Sequence, residues 1–165
     1  MHIHKAATAK DYERILAAPW LSMFVKISVA ELRERASLAH IFYATNARGD
    51  ITGTVLGVVP EDPQNGTLFL SQLNVDPLYQ KRGIGRDLVA ALIKTSVELG
   101  LPCSAAIHKN NSAAKKLAER FGFVVSISEE PNAFDPFLSY CRPPLPLEAS
   151  HQAAHDFTSD RPANG

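Results

Sequence analysis

Between Leu73 and Arg86 the chain reads Leu-Asn-Val-Asp-Pro-Leu-Tyr-Gln-Lys-Arg-Gly-Ile-Gly-Arg, with two glycines one residue apart among three cations. Gly83 and Gly85 fall where an extended segment gives way to the first turn of a long helix. At such a junction the first helical N–H groups lack an intrahelical acceptor and the helix dipole is positive. A diphosphate can dock there if no side chain blocks the backbone. Glycine removes the block, and Lys81, Arg82 and Arg86 add positive charge. A G-x-G pair alone is weak evidence, because a flexible turn before a helix looks the same. Two common fingerprints are excluded: a dinucleotide-binding G-x-G-x-x-G needs its third glycine where Leu88 stands, and no G-x-x-x-x-G-K-[ST] occurs. What remains is a phosphate cradle of another kind.

Such a cradle needs a strand before it and a helix after it, and the periodicity supplies both. Leu68 to Val75 reads as a strand stopped by Asp76 and Pro77. Leu88 and Leu92, with Val89, Ile93 and Val97, share one face of a helix over residues 84 to 99, closed by Gly100 and Pro102. Upstream, Ile3 to Ala6 suits a first strand, and Thr8 with Asp11 caps a short helix that ends at Pro19. Ser28 with Glu31 repeats that spacing and starts a second helix over residues 29 to 39. Ala39 to Thr45 and Ile51 to Val59 are strands of a hairpin whose loop contains Gly49. Downstream come a buried strand at 103 to 108, a helix carrying Ala114, Leu117, Ala118 and Phe121, and strands at Phe123 to Ser128 and Phe137 to Cys141.

The strand-helix-strand unit over residues 68 to 108 requires a crossover. The expected fold is therefore α/β of the α+β kind, a mixed, mainly antiparallel central sheet of about seven strands with about four helices on both faces. Residues 1–142 form the domain. Residues 143–165, where Pro143, Pro144 and Pro146 block regular structure, form a Pro/Ala-rich tail.

Composition narrows the partners. Lys plus Arg is 17 and Asp plus Glu is 17, so no net field draws the chain to a phosphate backbone or an anionic membrane, and no nucleic-acid or membrane partner is expected. No apolar run is long enough to span a bilayer and Met1 to Lys10 has no secretory h-region, so the expected location is cytoplasmic. Cys103 and Cys141 form no CxxC or Cys/His cluster and read as two reduced, packed thiols. His151 and His155 have helical i, i+4 spacing but no third ligand nearby, so no metal is expected.

The cradle resembles the acyl-CoA signature Q/R-x-x-G-x-G/A of the GCN5-related N-acetyltransferase (GNAT) family, matched at Gln80, Gly83 and Gly85. Leu73, Val75 and Pro77 match the Leu-x-Val-x-Pro that precedes it. A second block, Asn111, Ala114, Leu117 and Gly122-Phe123, is similar to that family's N-x-x-A-x-x-L…G-F. The resemblance covers residues 3 to about 141 and implies acetyl-CoA as co-substrate. It implies that the backbone of Leu73, Asn74 and Val75 pairs with the pantetheine arm. Gln80, Lys81, Arg82, Gly83, Ile84, Gly85 and Arg86 would surround the diphosphate, and Asn111, also an apt helix N-cap, would contact the CoA arm.

Acetyl transfer to an amine needs a neutral nucleophile, donors facing the developing oxyanion and a proton for the departing thiolate. A backbone N–H near Leu73 can meet the second demand. Many relatives carry a Tyr acid where this chain has Ala118; Tyr140 and Tyr43 are the candidate substitutes, and solvent is another. Relatives often carry a Glu base just before the Leu-x-Val segment. Here Ser71 and Gln72 stand in that region, and His108 is the candidate base by its intrinsic pKa, with a water chain to a distant carboxylate as the other route. Glu34, Glu130 and Asp135 receive no role. The expected activity is direct acetyl transfer from acetyl-CoA to a primary amine of a small molecule or peptide. The alternative is an acyl-CoA-binding module of the same fold with little turnover. Monomer and homodimer both remain open.

Overall fold

Thr8 opens the first helix as its residue type requires. Its hydroxyl accepts the Asp11 N–H while the Asp11 carboxylate accepts the Thr8 N–H at 2.9 Å, a reciprocal capping box. The resulting α1 (Ala9–Leu16) buries Tyr12 and Ile15 against the sheet. The computed structural model describes residues 1–21, 39–59, 66–126 and 137–143. The helix expected over 29 to 39 and the tail beyond Pro143 fall outside these residues, except that Ala39 begins a strand.

The described residues form one seven-stranded sheet in the order β1-β2-β3-β4-β5-β7-β6. The strands are β1 (His2–Lys5), β2 (Ala39–Thr45), β3 (Ile51–Val58), β4 (Leu68–Val75), β5 (Cys103–His108), β6 (Val124–Val125) and β7 (Phe137–Arg142). Every pairing is antiparallel except β4 with β5. That parallel step is bridged by α2 (Ile84–Glu98), the crossover that the strand-helix-strand pattern demands. A third helix, α3 (Ser112–Arg120), follows β5. Three α-helices are thus seen among the described residues, against about four expected. Strand β1 ends one residue earlier than read, although Ala6 still donates to Ile41 O at 2.9 Å. The strand read over 123 to 128 is assigned only at Val124–Val125, and residues 127–136 are not described. The last strand, β7, inserts between β5 and β6. Arg142 ties it to the end of α3 by donating from Nε to Phe121 O at 2.7 Å.

Helices cover both faces. Tyr12 and Ile15 of α1 pack with Ile41, Tyr43 and Ile51 on one face, whereas Leu88 and Leu92 of α2 pack with Phe42, Ala44 and Val55 on the other. Two glycines of β3 let α2 lie close to the sheet. A Cβ on Gly53 would come 2.8 Å from Ile84 Cγ2, and one on Gly57 would come 2.5 Å from Leu92 Cδ1. Both thiols are free; burial pushes Cys103 up to about 12, so it stays a packed, unreactive thiol at neutral pH. Among the described residues no helix is long and apolar enough to cross a membrane.

Two stability predictions follow from these contacts. Leu92 is wholly buried and has no room to swing away, so Gly57→Val should lower stability by about 1–3 kcal/mol in urea unfolding; an unchanged midpoint would refute the close approach. The Thr8 hydroxyl, then the Ala7 and Thr8 N–H groups and the Tyr43 hydroxyl, hold the Asp11 carboxyl well below the usual carboxylate range. A depressed folded pKa stabilises above the unfolded value and loses that contribution as pH falls through the folded one. The melting-temperature gap between wild type and Asp11→Asn should therefore be full at neutral pH and shrink below about pH 4. A gap independent of pH would contradict this assignment.

Candidate functional site

The sheet opens at its centre. Although β4 runs to Val75 and β5 to His108, the two pair only from Leu68↔Cys103 to Leu70↔Ala105. The cause lies on the other edge of β4, where Leu56 faces Gln72 and Gly57 faces Leu70, so Ser71 is an extra residue. This bulge bends β4 just where it leaves β5.

Strand alternation then decides which groups face the gap. Asp76 N donates to Thr52 O at 3.0 Å, so position 76, and with it Asn74 and Gln72, forms the hydrogen-bonded pairs to β3. The intervening Leu73 and Val75 turn their N–H and C=O groups towards β5, where no strand meets them. Val75 O accepts Gln80 Nε2 at 3.3 Å, as this orientation requires. The backbone donor expected near Leu73 therefore faces the gap.

A cavity of about 230 Å³ occupies this slot. Leu70, Leu73, Ala105 and Ile107 line it on the face that packs against α2 and α3. Ser71, Ala106, His108 and Phe137 line it as well, and on β5 and β7 these alternate with the inward set and so belong to the opposite face. The slot thus connects the two faces of the sheet.

The start of α2 stands at its mouth. Gly83 is the N-cap in the left-handed region at φ 82°, no side chain caps the helix, and the first intrahelical bond is Asp87 N to Gly83 O at 3.0 Å. The N–H groups of Ile84, Gly85 and Arg86 are left without intrahelical acceptors. Lys81 also has positive φ, at 61°, which coils the loop before the helix. A Cβ on Gly85 would meet only Leu73 and Val75, each at 3.7 Å, so this helix turn lies directly over the gap-facing strand residues. Arg82 stacks 5.1 Å from the Tyr79 ring centroid and Arg86 pairs with Asp87 at 2.8 Å. Two of the three cations are thus held beside the loop rather than spread into solvent.

The remaining candidates separate. Asn111 serves as N-cap of α3, its Oδ1 accepting Ala114 N–H at 3.0 Å, and it also lines the slot. His108 lines the slot, edge-on to Phe137 with ring centroids 5.5 Å apart. Its Nδ1 accepts the Asn110 N–H at 3.1 Å, so the neutral ring carries its proton on Nε2. In that tautomer Nε2 is a hydrogen-bond donor and the Nδ1 lone pair is engaged by the backbone. Tyr140 is 2% exposed, packed in the core beneath α3, and does not line the slot. Tyr43 lies on the α1 side with its hydroxyl donating to Asp11 at 2.9 Å. Among the described residues lining the slot, His108 is the sole titratable side chain, and no cluster suited to a metal occurs among the described residues. Sequence reasoning missed the Ser71 bulge, which leaves no mark in residue type. It also passed over Gly53 and Gly57, whose spacing inside a β-rich run signals a close backbone approach.

Comparison with known proteins follows the same lines. Residues 7–123 match the model of the acetyltransferase (GNAT) family. The spermine/spermidine N(1)-acetyltransferase of Bacillus subtilis (strain 168) is 37% identical over 82 residues, covering 46% of this chain and 53% of that protein. The chain thus spans about half the length of the curated relatives it matches. Among solved structures, a GNAT-family acetyltransferase from Streptococcus pneumoniae superposes with a TM-score of 0.64 at 19% identity, covering 85% of this chain and 96% of that one. The ribosomal-protein-S18-alanine N-acetyltransferase from Escherichia coli gives 0.62 at 19% identity over 85% and 91%. At such identities the likeness shows the fold.

Gly83→Asp tests the cradle, since it adds a negative charge and a Cβ at a left-handed position. Coenzyme A affinity measured by calorimetry should fall more than tenfold, about 1.4 kcal/mol. Affinity retained by a folded variant would remove the start of α2 as the anion site.

Proposed function

The chain belongs to the GNAT family of acetyltransferases, and on that premise we propose that it transfers the acetyl group of acetyl-CoA directly to a primary amine of a small molecule or peptide, in the cytoplasm and without a covalent enzyme intermediate. The observation that carries this reading is the parting of β4 from β5 beyond Leu70 and Ala105, which leaves the Leu73 backbone and the Val75 N–H without a strand partner beneath the start of α2. Backbone groups without partners are costly unless a ligand or water supplies them. An extended amide-bearing arm such as pantetheine supplies them in the pattern of a strand.

In this reading the N–H groups and cations from Lys81 to Arg86 hold the diphosphate, with Gly83 and Gly85 admitting it to the backbone. Gln80 braces the loop through Val75 O. Leu73, Asn74 and Val75 hold the arm, and Asn111, whose Oδ1 is committed to the cap, offers its Nδ2 to it. The Leu73 N–H faces the carbonyl oxygen on which charge develops, a fixed dipole that needs no reorganisation. The amine enters from the face that carries Ser71 and His108, attacks the carbonyl carbon, and the C–S bond breaks. The amine nitrogen loses one proton and the thiolate gains one, and solvent carries this exchange. Nε2–H of His108 donates a hydrogen bond to the departing sulfur without giving up its proton. Tyr140, enclosed in the core, contributes packing.

The second reading, an acyl-CoA-binding module with little turnover, is favoured by one observation: no carboxylate lines the slot among the described residues. Incubation with acetyl-CoA and a panel of primary amines, following free thiol, separates the two. Amine-dependent thiol release is expected, reduced about 10- to 100-fold in kcat by His108→Ala with coenzyme A affinity retained. Saturable binding with no amine-dependent release would overturn the enzymatic reading in favour of the module.

A further inference from the structure

Three cations stand around the start of α2, and they are not held alike. Arg86 gives its charge to Asp87 at 2.8 Å, and Lys81 joins no ion pair among the described residues. Arg82 is different: its guanidinium carbon lies 5.1 Å from the ring centroid of Tyr79. An aromatic face attracts a cation without cancelling its charge, and a guanidinium set on such a face keeps its in-plane N–H donors for an anion. Arg82 is therefore held in place and still fully cationic.

The ring is itself anchored from two sides. Tyr79 closes the turn Pro77–Tyr79, where its N–H donates to Asp76 O at 2.8 Å and the Asp76 carboxylate accepts the Leu78 N–H at 2.9 Å. Its body packs with the core that holds Ile84 and Leu88. At the far end its hydroxyl accepts Asn46 Nδ2 at 3.0 Å, a contact between positions 33 residues apart. Asn46 is fixed in turn. Its Oδ1 accepts the N–H groups of Arg48 and Asp50 at 2.9 and 3.0 Å, and its Nδ2 also donates to the Asp50 carboxylate at 2.9 Å. A strut thus runs from the β2–β3 hairpin loop, through one aromatic ring, to the cation beside Gly83.

We infer that Tyr79, held by Asn46, is a positioning residue for the coenzyme's diphosphate: it presents Arg82 to the start of α2 before the ligand arrives. This role rests on the proposed function. A freely moving arginine gives up its rotamer freedom when it clamps a phosphate, and that loss weakens binding. A side chain already ordered by a ring gives up little. Neither Tyr79 nor Asn46 has to touch the coenzyme for this to operate.

Calorimetric titration of coenzyme A into the full chain, with a double-mutant cycle on Tyr79 and Arg82, tests this. Tyr79→Leu should weaken binding about two- to fivefold. Arg82→Gln should weaken it at least as much, and Tyr79→Leu added to Arg82→Gln should weaken it no further. Tyr79→Phe keeps the ring, loses only the Asn46 contact, and should fall between wild type and Tyr79→Leu. If Tyr79→Leu does not fold, Tyr79→Met gives the same comparison with a more pliant apolar side chain. A loss from Tyr79→Leu that is as large without Arg82 as with it would mean that the ring acts on the fold, and would overturn the inference. An affinity unchanged by Tyr79→Leu, or a Tyr79→Phe as weak as Tyr79→Leu, would overturn it too. In each of these cases wild type still binds coenzyme A and the proposed function stands. No binding of coenzyme A by the wild-type chain would overturn both.

Discussion

A sheet that fails to close is the constraint on which the rest of this molecule depends. Main-chain N–H and C=O groups inside a protein are nearly always paired. Here Leu73 and Val75 stand next to a strand, β5, that has already turned away. The gap is built in by a single extra residue, Ser71, which bends β4 at the last rung it shares with β5. Closing the gap would require removing that residue from the β3 side of β4. The opening therefore coincides with a register shift in the ladder on the far edge of β4.

Around the gap the chain invests in rigidity. Gly53 and Gly57 let α2 rest on β3 at a distance that any Cβ would deny, and this close seat carries the helix start over the gap-facing residues of β4. The left-handed Lys81 and Gly83 coil the loop before it, so the orphaned donors of the first turn share one small volume with the cations beside them. An electrostatic site of this kind needs little net charge. The whole chain balances 17 cations against 17 anions, and its anion-attracting potential is local, made from backbone dipoles and three nearby side chains.

The opposite face of the slot is chemically sparse. Backbone donors and one imidazole, held as the Nε2–H tautomer by a backbone N–H, are what the described residues offer. A reaction run here would depend on alignment and on fixed dipoles more than on proton transfer by side chains, and those effects account for much of the rate enhancement in acyl transfer. Alanine at position 118 fits that picture: it lines the slot with a methyl group and no ionisable side chain.

Local signals in the residues were enough for the capping box at Thr8 and Asp11, for β4 over Leu68–Val75 and β5 over Cys103–His108, for α2 from Ile84, and for the Asn111 cap. Each of these depends on neighbours within a few positions, through capping, alternation or the 3.6-residue period. The glycines at 83 and 85 were legible for the same reason. The divergence of β4 from β5 leaves no mark in the residue types of either strand, because it accompanies a register shift against β3, some fifteen positions earlier in the chain. Which nitrogen of His108 bears the proton, the removal of Tyr140 into the core, and the insertion of β7 between β5 and β6 all follow from contacts between distant segments. Residue type and spacing carry no record of such contacts, because pairing partners and burial are set by how whole elements pack.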